Sequence, residues 1–215
     1  MRKVKIKVPK TKRDIKLSQY QKFLRVTKDV EDEKIIHKRM VAVFCNLTDV
    51  IINNMTKTSF NETLAHLLSV LEIDKEAELI RTIMLNGKEY GFIPNMDDLT
   101  VGELSDLDNF IVDWQNMDKV MGVLYRPIKY KKGDSYQIED YKTKVSLDLP
   151  LDVALSAYFF LNNLLKDLLN YIPNYIEQMV LQDPKSKTLV ENGVGINQFT
   201  ELLEETCLNL RKSLT

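Results

Sequence analysis

The side chains in this sequence that could do chemistry are two histidines, two cysteines and a run of carboxylates. His37 and His66 each stand alone within a helical pattern, and no further ligand lies at a spacing that would complete a metal site. Cys45 and Cys207 sit in apolar helical patterns without a CxxC partner, which reads as buried free thiols in a reducing compartment. Asp97, Asp98, Glu103, Asp106, Asp108, Asp113 and Asp118 are spread too evenly along helical segments to single out an acid–base pair, and no nucleophile stands beside a base. Gly193-Val194-Gly195 is too sparse for a phosphate cradle, with no strand before it and no GK[ST] or GxGxxG after it. The residues predict no catalytic, metal or cofactor site, and no enzyme.

What the sequence does show is segregated charge. Over 215 residues the net charge is −1, which argues against a dedicated nucleic-acid binder. Yet Arg2, Lys3, Lys5, Lys7, Lys10, Lys12 and Arg13 crowd the start, whereas the acidic central stretch holds no base before Lys119. One reading is two solvated faces. The other is complementarity, within the chain or across a subunit boundary, with Lys5, Lys7 and Lys10 facing Asp106 and Asp108. Exposed pairs contribute only about 0–1 kcal/mol each, so they would set register more than strength.

The elements that must position these residues are mostly helices. Lys3–Val8 alternates basic and apolar residues, the period of a half-buried strand, and Pro9 ends it. Ser18–Gln21, Ser59–Glu62 and Thr100–Glu103 resemble capping boxes opening helices. Glu33–Asn46 reads as a longer helix, with a short one beginning at Thr48-Asp49. Leu79–Leu85, Asn86-Gly87 and Lys88–Ile93 form the clearest hairpin signal, and the N-terminal strand is its expected third partner.

In the central stretch Leu99, Leu104, Leu107, Phe110 and Ile111 give one apolar helix face, and a second helix runs from Met117 towards Tyr125. Trp114, Met117 and Met121 at the join suit either an adaptable partner surface or a sealed helix junction, the junction being the commoner use of such residues. Lys129–Lys144 reads as a loop or irregular hairpin. Its interleaved tyrosines and lysines could stack on single strands, but Asp134, Glu139 and Asp140 oppose this. Leu151–Tyr171 is apolar around most of its circumference yet too polar for a membrane span, so it is expected as a buried helix. Shorter helices follow over Tyr175–Leu181 and Phe199–Leu214. The N-terminus lacks the apolar core of a signal peptide.

Asn86–Asn95 (NGKEYGFIPN), Leu99–Asp108 (LTVGELSDLD) and Asp113–Ile128 (DWQNMDKVMGVLYRPI), behind a basic strand and a helix led by Ser18-Gln19-Tyr20-Gln21, resemble a group of small proteins of crAss-like tailed phages. The resemblance covers about half the chain. It implies a structural or assembly role in the head, neck or tail, and brings no catalytic residues with it.

The expected fold is α+β and predominantly helical, a small antiparallel sheet packed by helices. Residues 1–128 would form an α+β domain, 129–145 a linker and 146–215 a helical region packed on it. The expected function is a ring or connector subunit of the neck or tail, in the virion and, during assembly, the host cytoplasm. It would act through other phage structural proteins and copies of itself, without membrane or nucleic acid. A tail-assembly chaperone or a packaged cargo protein are the alternatives.

Overall fold

Helices lead, each starting where free backbone N–H groups find an acceptor. The computed structural model describes residues 6–72, 77–143 and 145–164. In α1 (Leu17–Thr27) the Gln19 side chain reaches back to accept from the Lys16 N–H at 3.0 Å. Asp32 caps α2 (Glu33–Phe44), accepting from the Lys34 N–H at 2.8 Å, and Asn46, at φ 52°, follows it. Thr48 precedes the short α3 (Asp49–Asn53). Two expected boxes shift. Ser18 lies inside α1 and gives its N–H and hydroxyl to Asp148 instead (2.8 and 3.0 Å). The helix expected to open at Ser59 opens earlier, as α4 (Lys57–Leu71), because Thr56 is the residue that accepts from the Ser59 N–H.

The sheet is a four-stranded antiparallel array in the order β1 (Thr82–Leu85), β2 (Lys88–Phe92), β3 (Tyr125–Lys132), β4 (Ser135–Ile138). Asn86 and Gly87 take φ 51° and 79°, the two positive values a type I′ turn requires. The α+β, mainly helical class holds, but the third strand is not N-terminal. It is β3, in the register Tyr90↔Pro127, Gly91↔Arg126, Phe92↔Tyr125. Residues 6–8 form no strand, and the Pro9 carbonyl accepts from His66 Nε2 at 2.9 Å, which draws this segment onto α4. Residues 1–5 lie outside the described residues. The expected linker at 129–145 is largely a hairpin turning at Gly133-Asp134, with a register shift between Ile128 and Tyr130.

Between the paired strands β2 and β3 lies the central stretch: α5 (Val101–Ile111), a 3-10 turn at Trp114–Asn116, and α6 (Met117–Leu124), which runs directly into β3. In α6 six of eight residues are buried, Met117 and Val120 through Leu124. Gly122 among them has a backbone reason: a Cβ there would collide with the Val145 carbonyl oxygen.

Two backbone hydrogen bonds, Leu17 N–H to the Leu149 carbonyl and Leu151 N–H to the Ile15 carbonyl (both 2.8 Å), clasp the N-terminal segment to residues 149–151. Ion pairs Arg13–Asp152 (2.8 Å) and Lys16–Asp148 (3.5 Å) flank the clasp. A further helix begins at 151, where Leu151 and Val153–Ser156 are buried, as its apolar circumference predicts. The chain divides into two compact units after Ser156. This is later than the expected boundaries because residues 147–151 are hydrogen-bonded into the first unit, at Asp118, Ile15 and Leu17. In the second unit, residues 157–164 continue helical, with the Tyr158 and Phe159 rings edge to face at 5.4 Å. The rest of the helix expected to Tyr171, the two helices expected after it and Cys207 lie outside the described residues. Among the described residues no helix is long and apolar enough to cross a membrane.

Candidate functional site

The residues singled out at the helix join prove to be core. Trp114, Met117 and Met121 are all buried, so they form no contact surface. The Trp114 indole stands edge-on to the Tyr20 ring at 5.5 Å. Buried Gln21 on α1 closes the join, its amide nitrogen facing the carbonyls of Trp114 and Gln115 and the Asp118 carboxylate, each at 3.1 Å. The spacing Met117, Val120, Met121, Leu124 already marks a buried stripe. The sequence marked Gln21 only as the last residue of an expected capping box, not as the side chain that closes the join.

Beside the join, α5 is anchored by a group that sequence reading found only in part. The capping box forms as expected: Glu103 Oε2 accepts from the Thr100 N–H and hydroxyl, both at 2.7 Å. Its other oxygen, Oε1, pairs with Arg126 Nη1 of β3 at 2.7 Å, with the two side chains 3 % and 13 % exposed. One carboxylate thus caps α5 and ties that helix end to the sheet. The Tyr141 hydroxyl donates to Asp106 at 2.6 Å, and Lys119 of α6 lies over the Phe110 ring at 5.2 Å. Asp106 therefore serves an internal contact.

The opposite side of α5 faces solvent and carries three exposed apolar residues among Gly102, Ser105, Asp108 and Asn109. Val101, Leu104 and Val112 are 86, 48 and 57 % exposed, and with Asp108 they fall at helical spacings along one face. Asp97 and Asp98 stand before the first turn, and Asp113 stands after the last. Asp108, between Leu104 and Val112, is partly shielded from water, and that desolvation raises its carboxyl above the usual range. Single exposed apolar residues are ordinary, but three in line with acid at both ends make a patch suited to an apolar, basic partner. This patch is the candidate site.

The basic side is also reduced. Lys7 and Lys10 are exposed, and Lys5 lies outside the described residues. Arg13 and Lys16 pair with Asp152 and Asp148, not with the central acids. The backbone N–H groups of Lys10 and Thr11 bind Asp14 and hold its carboxyl below the usual range.

The β3–β4 hairpin keeps its charge balanced. Lys129, Lys131 and Lys142 pair with Asp140, Glu89 and Glu139, and Lys88 shares Glu139. Tyr136 lies against Gly91 and donates to the Phe92 carbonyl at 2.7 Å. A stacking surface for single strands would need those rings and cations outward, and Tyr130 is the hairpin ring most exposed. Among the described residues no group of three or more His, Cys, Asp or Glu could hold a metal ion. Comparison of the chain with family models, curated proteins and solved structures finds no match.

Proposed function

We propose that this chain is a structural subunit of a tailed-phage particle, a ring or connector component of the neck or tail that acts by protein–protein contact and performs no catalysis. The observation that carries the reading is the outward face of α5, an exposed apolar stripe with carboxylates at each end. The segments resembling crAss-like phage proteins, Asn86–Asn95, Leu99–Asp108 and Asp113–Ile128, fold as the turn and second strand of the β1–β2 hairpin, α5, α6 and the start of β3. They make up the part of the fold that frames this face.

Mass spectrometry of purified particles, before and after genome release, tests the proposal. The expected result is the chain at fixed stoichiometry in both. Its absence from mature particles would replace the reading with a tail-assembly chaperone, and its loss on genome release with a cargo protein.

A further inference from the structure

β1 is an edge strand, and one bond fixes which of its backbone groups face outward. The Phe92 N–H donates to the Arg81 carbonyl at 2.8 Å, in the register that sets Thr82 opposite Gly91 and Ile83 opposite Tyr90. Bonding groups alternate sides along an antiparallel strand, so Arg81, Ile83 and Leu85 bond towards β2. The N–H and carbonyl groups of Ile80, Thr82 and Met84 therefore point away from it. Ile80 is sealed within the chain: its N–H donates to Ser156 Oγ at 3.2 Å, and its carbonyl accepts from the Tyr125 hydroxyl at 2.7 Å. Thr82 and Met84 leave their donors and acceptors open, with no partner among the described residues. The Met84 side chain is 63 % exposed.

Natural edges are usually blunted by charge, proline or a bulge. β1, Thr-Ile-Met-Leu, has none of these. β4, the other edge, belongs to a hairpin with a register shift and with Lys129, Lys131 and Lys132. The open length of β1 also selects its partner. Sealed Ile80 bounds it on one side and the Asn86-Gly87 turn on the other. A strand lying antiparallel on it must supply groups opposite Thr82 and Met84 and must end opposite Ile80. β1 itself meets both conditions. When Thr82 of one copy faces Met84 of another, Asn86, where the strand turns away, falls opposite Ile80.

We infer that two copies of this chain pair edge to edge through β1, antiparallel about a two-fold axis at Ile83, and join their four-stranded sheets into one. Each Thr82 exchanges two backbone hydrogen bonds with the partner's Met84. The Met84 side chains lie diagonally across the axis and cover Thr82, on the face where the Tyr136 ring lies against Gly91. The contact is isologous, with the same residues on both sides. A ladder this short buries less than the roughly 1,200–2,000 Å² of a standard interface, so the dimer dissociates at about 10–100 μM. The pairing does not depend on the α5 face.

Sedimentation velocity of the full-length protein up to about 500 μM follows the dimer. Met84→Pro removes an outward N–H while the bonds to β2 run through its neighbours, and edge strands accept proline. It weakens dimerisation by about tenfold or more. Met84→Lys, at an exposed position that leaves the fold intact, does the same by setting like charges across the axis, most strongly at low salt. A disulfide reports the register, in a Cys207→Ser background with Cys45 buried. Thr82→Cys and Met84→Cys proteins, mixed and oxidised, place their sulfurs in a pair with Cα atoms about 5.5 Å apart, within disulfide range. Either protein alone offers only the diagonal pair, about 7–8 Å apart. The mixture therefore crosslinks about tenfold faster or more than either alone. A chain that stays monomeric at about 500 μM, a dimer that Met84→Lys leaves as strong, or equal crosslinking rates overturn the inference. If the chain is monomeric yet stoichiometric in particles, this inference fails and the proposed function stands. If the dimer forms but mature particles lack the chain, the proposed function fails and the inference stands.

Discussion

Replacing Glu103 by Gln isolates the ion pair that ties α5 to the sheet. Gln is an accepted partner in a capping box, so the bond back to Thr100 is retained. What is lost is the charge facing Arg126, in a pair whose side chains are 3 % and 13 % exposed. Removing one member of a buried pair costs about 3–5 kcal/mol, because the other charge stays buried without compensation. A pair such as Lys131–Glu89, 40 % and 34 % exposed, contributes at most about 1 kcal/mol. With a urea slope of about 1–3 kcal/mol/M, Glu103→Gln should lower the unfolding midpoint by about 1–5 M. Arg126→Met should lower it by a similar amount. The double variant should recover most of the loss, since exchanging both charges for uncharged groups of similar size is often neutral. Arg126 Nε, buried without a hydrogen-bond partner, points the same way: the pair is imperfectly satisfied, and breaking it costs more than replacing it whole. Single variants that each lose under about 1 kcal/mol, with losses that add in the double variant, would refute the reasoning.

Gly122→Ala should destabilise, although alanine ordinarily gains about 1 kcal/mol over glycine within a helix. The new Cβ meets the Val145 backbone carbonyl, which cannot turn aside as a side chain would, so a net loss of about 1–3 kcal/mol is expected in the urea midpoint; a stabilised protein would contradict it. Burial pushes the Cys45 thiol up to about 11. In a Cys207→Ser background, native protein at about pH 8 should react with a thiol reagent far more slowly than unfolded protein. The folded value exceeds the unfolded one of about 8.5, so the stabilisation is complete below that pH and is lost as pH rises towards 11. Equal native and unfolded rates would place the thiol in solvent.

Local signals were legible in the sequence where one short segment decides the outcome. Asn86-Gly87 required a turn whatever its surroundings, and Thr100–Glu103 formed its box as spaced. The boxes at Ser18 and Ser59 moved because acceptors outside the four-residue patterns, Asp148 and Thr56, took the Ser18 and Ser59 N–H groups. Strand pairing was the harder inference. Lys3–Val8 alternates as a third strand would, whereas Tyr125–Lys132 reads as a helix end and a loop or irregular hairpin, and which of them pairs with β2 depends on contacts far apart in sequence. Pro9 is held by His66, 57 residues away, and β3 is delivered to β2 by α6. The candidate site divides in the same way. Its carboxylates were visible, but an apolar stripe is expected to face inward, so the exposure of Val101, Leu104 and Val112 could be learned only from the packing.

That exposure follows from how α5 is held. An isolated helix with an apolar stripe would turn it towards the nearest apolar surface, since burying each large side chain contributes roughly 1.5–3 kcal/mol. Here the turn is blocked because the inward side is already occupied. Leu107 is buried, Glu103 is paired with Arg126, Asp106 accepts from Tyr141, and Phe110 lies under Lys119. Rotating α5 far enough to bury Val101 and Leu104 would withdraw Glu103 from Arg126, at the several kcal/mol assigned above to that pair. The polar anchor therefore offsets the apolar gain and holds the stripe outward before any partner arrives. A preformed face lets the binding energy of a partner go into contact, with little of it used to order the helix.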